Sequence, residues 1–433
     1  MPDPPAVPAP LPALAPAQRR RGIAVLLANS ALMTAGFFLL IPLLSVHLTQ
    51  DLGFSGAAAG AVLAVRQVTQ QGLMLFGGAL ADRAGYRRVI VAGLLVRAIG
   101  FFGFALGDAP GVIIGAAVVA ALGGALFEAT GKAALASLAP PAGRPRLFSL
   151  SALAAGAGTT LGPLLGILLL PFGFAWIGVV AGTCFVLAFL VSAVLLPPLS
   201  GGAVAGPGGA LPGFGQTLRR VARHRTFLVF TALMTGYWLL HNQVYIAVPL
   251  RAVQVVGGAG VVGVLYAVNA AAGLALQVPV VRLSARWLSP PGAVALGVAV
   301  MGAGLGLMGL AGAPETELGA VAVMAASMVV FAAGRALVEP MKDVVTAELA
   351  PPDALGVFFG VSFLALAVGG SVGNYLGGWL FDVATASGRF ALPWVAFALA
   401  GLAVGAGMLR FARATGGAGR PAAAPAAAAP VAG

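Results

Sequence analysis

Apolar residues along this chain come in long unbroken runs. Twelve stand out, at about 23–46, 56–78, 89–107, 111–138, 148–170, 175–196, 226–250, 260–281, 293–312, 319–341, 355–381 and 392–411. A bilayer core of about 30 Å takes roughly 20 apolar residues per helical span, and these runs have that length. Backbone polar groups in lipid must be paired within the segment, which selects helices. The strict alternation of a membrane barrel is absent from the runs. The pattern therefore predicts an all-α membrane protein with twelve transmembrane helices.

The polar stretches divide the chain. Most gaps are short, but 197–225 holds Gly201, Gly202, Gly206, Gly208 and Gly209, then Arg219, Arg220, Arg223, His224 and Arg225. It separates six runs from six. The expected organisation is a disordered tail at 1–21, a six-helix bundle at 22–196, a cytoplasmic linker at 197–225, a second bundle at 226–412 and a disordered tail at 413–433. A signal peptide is the competing reading of the first run, but its apolar region would be only about 7–15 residues.

The two halves repeat. Residues 123–141 read GGALFEATGKAALASLAPP and residues 334–352 read GRALVEPMKDVVTAELAPP. One offset of 211 places Gly123 on Gly334, Glu128 on Glu339, and Pro140-Pro141 on Pro351-Pro352. The register continues through Ser151/Ser362, Gly158/Gly369, Gly162/Gly373 and Gly166/Gly377. A repeat in the same direction after six spans relates the halves by an axis along the membrane normal, and two such bundles rocking about a central site give alternating access.

Composition narrows the function. The chain is 60% hydrophobic and 8% charged, against about 25% charged in a soluble domain, which excludes a soluble enzyme. The net charge of +12 reports orientation rather than nucleic-acid binding. With the N-terminus in the cytoplasm, the inside segments carry eighteen basic residues and the outside loops two, Arg251 and Arg389. That asymmetry places both termini in the cytoplasm. The single cysteine, Cys184, forms no intrachain disulfide. The three histidines are scattered, no nucleotide-binding glycine loop or catalytic motif is found, and no metal site or cofactor is expected.

Between runs 2 and 3 the chain reads Gly77-Gly78-Ala79-Leu80-Ala81-Asp82-Arg83-Ala84-Gly85-Tyr86-Arg87-Arg88. This resembles the signature loop of the major facilitator superfamily, with Tyr86 where the family usually has a basic residue. The resemblance implies that superfamily's fold, two pseudo-symmetric six-helix bundles. It also implies that Gly78, Asp82, Arg83, Gly85, Arg87 and Arg88 form a conformational-switch loop. In run 5, Gly158, Gly162, Pro163 and Gly166 resemble the glycine-proline motif of the superfamily's proton-driven antiporters; packing glycines alone are the other reading. Residues 65–83, 148–150, 236–250, 369–382 and 392–394 are similar to a multidrug-efflux branch of the superfamily. That similarity implies a proton-coupled exporter of amphipathic drugs from the inner membrane.

Ionisable residues inside spans are costly, about 2.5–3.5 kcal/mol for a central Arg on insertion scales, and mark function by default. Glu128 lies four residues before Lys132, and Glu339 four residues after Arg335. These four, with Asp343, are the proton-coupling candidates; bracing of cytoplasmic turns is the structural alternative. Arg66, Gln67 and Gln70, with Asn29, Tyr237, His241, Asn242, Tyr266 and Asn269, are the substrate-cavity candidates. Aromatics with a few polar groups suit flat amphipathic cations or zwitterions. Arg97 reads as an interhelical anchor. The expected function is proton-coupled efflux of amphipathic drugs or toxic small molecules by alternating access. Proton motive force would supply the energy, and a lipid-embedded monomer would do the work. An exporter of a sugar or other metabolite, and a non-transporting sensor or scaffold, are the alternatives.

Overall fold

The computed structural model describes residues 15–138, 144–199, 221–284, 286–313, 315–350 and 355–415. Among these, thirteen helices occur and no strand: α1 (Pro16–Val46), α2 (Gly56–Ala84), α3 (Tyr86–Gly103), α4 (Pro110–Ser137), α5 (Arg144–Leu169), α6 (Phe174–Leu195), α7 (Arg225–His241), α8 (Ala247–Val256), α9 (Gly260–Ser284), α10 (Pro290–Met308), α11 (Glu317–Leu349), α12 (Leu355–Ser387) and α13 (Leu392–Ala414). Nine are long and apolar enough to cross a membrane. The other three rods of the twelve depart from that simple form. The middle of α2 carries Arg66, Gln67, Gln70 and Gln71, α3 carries three arginines, and the seventh run is split into α7 and α8.

Several ends follow from local chemistry. Ser55, Ser289 and Thr316 accept hydrogen bonds from the backbone N–H groups of Ala58, Gly292 and Gly319, and so cap α2, α10 and α11. Gly85, at φ +87°, turns the chain directly from α2 into α3, in a region that side chains rarely tolerate. The seventh run breaks for a covalent reason. Pro249 has no N–H for the Tyr245 carbonyl, and its ring clashes with that carbonyl in a continuous helix. Residues Asn242–Tyr245 form a 3-10 turn instead, and Ile246 leaves helical geometry at φ −129°. Side chains brace the turn: Asn242 Nδ2 donates to the Trp238 carbonyl, and Gln243 Nε2 donates to the Leu239 carbonyl and, across to α12, to the Gly373 carbonyl.

Two boundaries differ from expectation. Residues 16–21, assigned to the tail, are the first turns of α1, with Pro16 in its first turn, and α13 runs to Ala414. Residues 1–14, 200–220 and 416–433, on which the tails and most of the linker fall, lie outside the described residues.

The packing repeats as the sequence does. In the first half α1 packs on α5 and α6, α3 on α4 and α6, and α2 on α4. In the second half α7 packs on α12 and α13, α10 on α11 and α13, and α9 on α11. The offset of 211 is visible in contacts. A Cβ on Gly158, Gly162 or Gly166 would strike the α1 backbone at Ala31, Ala35 or Leu39. A Cβ on Gly369, Gly373 or Gly377 would strike α7 and its 3-10 turn at Thr235, Leu239 or Gln243. Small residues four apart let helices approach closely in lipid, and the same ladder does so once per half.

The halves meet along α2 with α12 and α5 with α9, again a symmetric pair. These contacts are tight at the end away from the termini. Gly56 and Gly378 touch backbone to backbone, and Gly60 lies on the Asn374 carbonyl. Gly263 in α9 packs on Ile167 and the Pro163 carbonyl. Asp382 of α12 accepts from the Gly56 and Ala57 backbone N–H groups at 2.6 and 2.7 Å. One half thus caps the first turn of α2 in the other, where the helix dipole favours a carboxylate.

Candidate functional site

The far-side closure leaves a cavity of about 460 Å³ between the halves, within the range of about 300–1,000 Å³ usual for small-molecule sites. From the first half, α1, α2, α3, α4 and α5 contribute to its wall. From the second, Trp238, His241, Asn242, Tyr245 and Leu366 face it. Leu26 and Leu135 mark its extent toward the terminal side. The break after α7 is what turns His241, Asn242 and Tyr245 toward the first half.

One wall is aromatic. Tyr245 lies 6.4 Å from Phe37 and 6.3 Å from Phe38, so rings of both halves meet. The His241 ring is 5.1 Å from Trp238 and 6.2 Å from Tyr245. His241 Nδ1 is buried with no hydrogen-bond partner.

The opposite wall is a polar network on α2, α3 and α4. Arg66 donates to Gln70 Oε1 and Gln67 Oε1, each at 3.0 Å. Gln70 Nε2 donates to Glu128 Oε1 at 2.7 Å. Arg97 Nη1 stands 3.9 Å from the same Glu128 oxygen. Both guanidiniums sit over Phe37, at 5.1 Å for Arg66 and 5.6 Å for Arg97. Arg97 is also 5.2 Å from Phe185 and 5.9 Å from Phe101. Aromatic faces thus offset a part of the cost of burying the two cations, about 2 kcal/mol for a desolvated contact. Gly124 permits the arrangement, because a Cβ there would strike Arg97 and Gln70.

The helical spacing of charges did not give the pairs. Glu128 has Gln70 and Arg97 as partners, not Lys132. The Lys132 ammonium lies 6.0 Å from the Phe363 ring, on the other half. Glu339 pairs with Lys342 at 2.9 Å, and Tyr237 donates its hydroxyl to Glu339. Arg335 makes neither contact. Residues three or four apart on a helix can pair, but side chains reaching in from neighbouring helices decide which do. Asp343 pairs with Lys342 at 3.3 Å on a solvent-facing surface.

Of the expected cavity residues, Arg66, Gln67, Gln70, His241 and Asn242 line it, with Glu128 and Lys132. Four others lie elsewhere. Asn29 is buried and donates to Ser192 at 2.8 Å, tying α1 to α6. Tyr237 is buried against Glu339. Tyr266 is buried with its hydroxyl on the Val244 carbonyl at 2.5 Å. Asn269 is buried in α9 and absent from the cavity wall. Asn29 and Tyr237 are thus engaged within their own halves, whereas the Tyr266 ring also meets Phe38 of the first half, at 6.1 Å, from behind the cavity wall.

The reading from sequence missed Phe37 and Phe38, which look like any other residues of an apolar run. It placed Asp382 in a stretch similar to the efflux branch but gave it no role; the one signal is a carboxylate four residues after Gly378. Gly78 lies within α2 and Gly85 is the α2–α3 turn. Arg87 Nη2 donates to the Ala193 carbonyl at 2.7 Å, and the Tyr86 N–H donates to the Leu199 carbonyl at 3.0 Å, so the turn is fastened to the end of α6. Arg88 is exposed. The side chains of Asp82 and Arg83 lie outside the described residues.

Known proteins agree with this architecture. The model of the Major Facilitator Superfamily matches residues 26–373. The multidrug resistance protein MdtH of Edwardsiella ictaluri (strain 93-146) is 33% identical over 384 residues, covering 89% of this chain and 92% of that protein. MdtH of Photorhabdus laumondii is 34% identical with the same coverage. Among solved structures, a peptide transporter POT in complex with sulfate superposes with a TM-score of 0.75 at 16% identity, covering 92% of this chain and 95% of that one. The nucleoside transporter NupG gives 0.71 at 15% identity, covering 91% and 99%. A multi-pass chain with two repeated six-helix halves, a cavity between them and these relatives belongs to the major facilitator superfamily.

Proposed function

We propose that the protein is a secondary active exporter of amphipathic drugs or toxic small molecules, working by alternating access at the expense of the proton motive force. The observation that carries this reading is the cavity: it lies between two repeated halves, is shut on one side by inter-half backbone contacts, and joins an aromatic wall to a charged one. The named relatives, multidrug resistance proteins, support the substrate class. The basic residues on alternate loops support a cytoplasmic location for both termini in the inner membrane. The cavity then faces the cytoplasm and the Asp382 contact faces outward. A monomer suffices, since both halves belong to one chain.

Glu128 is the proton site in this scheme. It is the one carboxylate among the cavity-lining residues. Ionised, it holds Gln70 and stands near Arg97. Protonated, it loses its attraction for Arg97, and the network on α2, α3 and α4 loosens. Substrate arriving in the cavity competes for the same groups and expels the proton. Glu339 is already engaged by Lys342 and Tyr237, and serves as a brace between α7 and α11.

The test is proton release from the purified protein in weakly buffered detergent on adding a panel of amphipathic dyes and antibiotics. Release is expected from the wild type and from Glu339→Gln, and none from Glu128→Gln while drug binding persists. Drug binding without release from any of the three would contradict proton antiport and leave a facilitator or a sensor.

A further inference from the structure

The charges around the cavity do not balance. Its lining holds three cations, Arg66, Arg97 and Lys132, and one carboxylate, Glu128. Glu128 approaches only Arg97 within ion-pair distance, at 3.9 Å. Among the described residues, Arg66 has no carboxylate within ion-pair reach; its hydrogen-bond partners are the neutral amides of Gln67 and Gln70. Lys132 has none either, and an aromatic ring is its recorded neighbour. The two arginines are deeply buried, 6% and 3% exposed, so both charges are largely removed from bulk solvent. Arg66 Nε, Arg97 Nε and Arg97 Nη1 make no hydrogen bond.

A buried charge is costly unless it is paired, and removing or withholding one partner leaves the other uncompensated. Here two guanidiniums converge on the Phe37 ring, and only Arg97 has the half-buried Glu128 within ion-pair distance. A monocation entering this space would add like charge to a wall already in excess of cations. A carboxylate would supply what the wall lacks, because guanidinium presents forked donors that fit a carboxylate with two parallel hydrogen bonds.

We infer that the cavity selects amphipathic molecules bearing an acidic headgroup, with the anion seated between Arg66 and Arg97 and the apolar body against Phe37, Phe38, Trp238 and Tyr245. The inference deepens the transport reading and rests on it. It also revises the expectation of flat cations: Phe37, at the junction of the two walls, already carries both of the protein's own arginines, and a foreign cation against it would meet their charge. Monoanions and zwitterions share the acidic group. A zwitterion has a second anchor, because its ammonium can meet Glu128 where the proton otherwise sits and expel it, whereas a monoanion, which draws Arg97 from Glu128, binds without proton release.

Equilibrium binding to the full-length protein in detergent tests this with four naphthalene probes of similar size. They are 2-naphthylacetate (anion), 3-(2-naphthyl)alanine (zwitterion), methyl 2-naphthylacetate (neutral) and 2-(2-naphthyl)ethylammonium (cation). The two acids are expected to bind at least tenfold more tightly than the ester and the ammonium. Arg66→Gln and Arg97→Gln are expected to weaken the acids about tenfold or more and leave the ester unchanged. Arg66→Lys, which keeps the charge, recovers part of the loss, and unchanged ester binding shows that each variant is folded. The ester or the ammonium binding as tightly as the acids would overturn the inference, as would acid binding indifferent to both arginines or binding of none of the four. The two readings fail separately. Acids that bind as expected but are never moved across proteoliposome membranes contradict transport alone, and an ammonium that binds best and is exported contradicts only the acidic headgroup.

Discussion

At the residue scale, Arg97 shows how much a side chain's role depends on its tertiary neighbours. As a lone arginine in an apolar run it reads as an anchor, and it does hold α3 against α4, where Gly123 lies on its backbone. Its guanidinium also reaches the cavity wall beside Glu128. No sequence spacing could place it there, because its partners come from α1, α4 and α6. Polar identity was legible and pairing was not: Arg66, Gln67, Gln70 and Glu128 stand out in sequence as expensive in lipid, whereas Gln70 bonding Glu128 across 58 positions is set by helix packing. Gly85 offers a simpler test. At φ +87° and ψ 142° it occupies a region close to glycine-only, where strain costs of order 1–3 kcal/mol. Gly85→Ala should lower stability in detergent by about that amount, measured by thermal unfolding. An unchanged melting temperature would show that the α2–α3 turn relaxes freely.

At the element scale, the repeat was the most informative sequence feature. The offset of 211 predicted equivalent helices, and the structure gives them equivalent work, since each glycine ladder seats α5 or α12 against the first helix of its half. Gly162→Val and Gly373→Val should therefore behave alike. Each puts a branched side chain where the Ala35 or Leu239 carbonyl lies, and overpacking of this kind costs typically about 1–3 kcal/mol or more. Reduced thermal stability and reduced efflux are expected from both; an effect in one half only would break the symmetry. Not all elements were legible. The seventh run reads as one helix because residues 226–250 are apolar on average and carry no acidic or basic residue apart from His241, and hydropathy does not register what Pro249 does to the Tyr245 carbonyl. That break shapes the second half's share of the cavity.

At the scale of the whole molecule, two bundles are closed on one side and parted on the other. Fold class and span number were legible from run length. The conformation was not, because the contacts that close the far side are backbone meetings of Gly56 with Gly378 and Gly60 with Asn374, together with the Asp382 cap. Glycines in a glycine-rich chain give no hint of which will meet across the halves. All of these contacts must part if the cavity is to open on the other side, and alternating access requires that they do.

The most direct measurement is the distance between paired spin labels on opposite halves, in a Cys184→Ser background. One pair sits at the exposed ends of α4 and α11 on the terminal side, Ser137→Cys with Glu348→Cys. The other sits on the far side, Leu106→Cys with Leu318→Cys, where the native side chains are 81% and 80% exposed. On adding a transported zwitterion at constant pH, the terminal-side distance should shorten while the far-side distance lengthens. Asp382→Ala should lengthen the far-side distance without ligand. Distances that stay fixed at both ends, or that change in the same sense, would contradict alternating access.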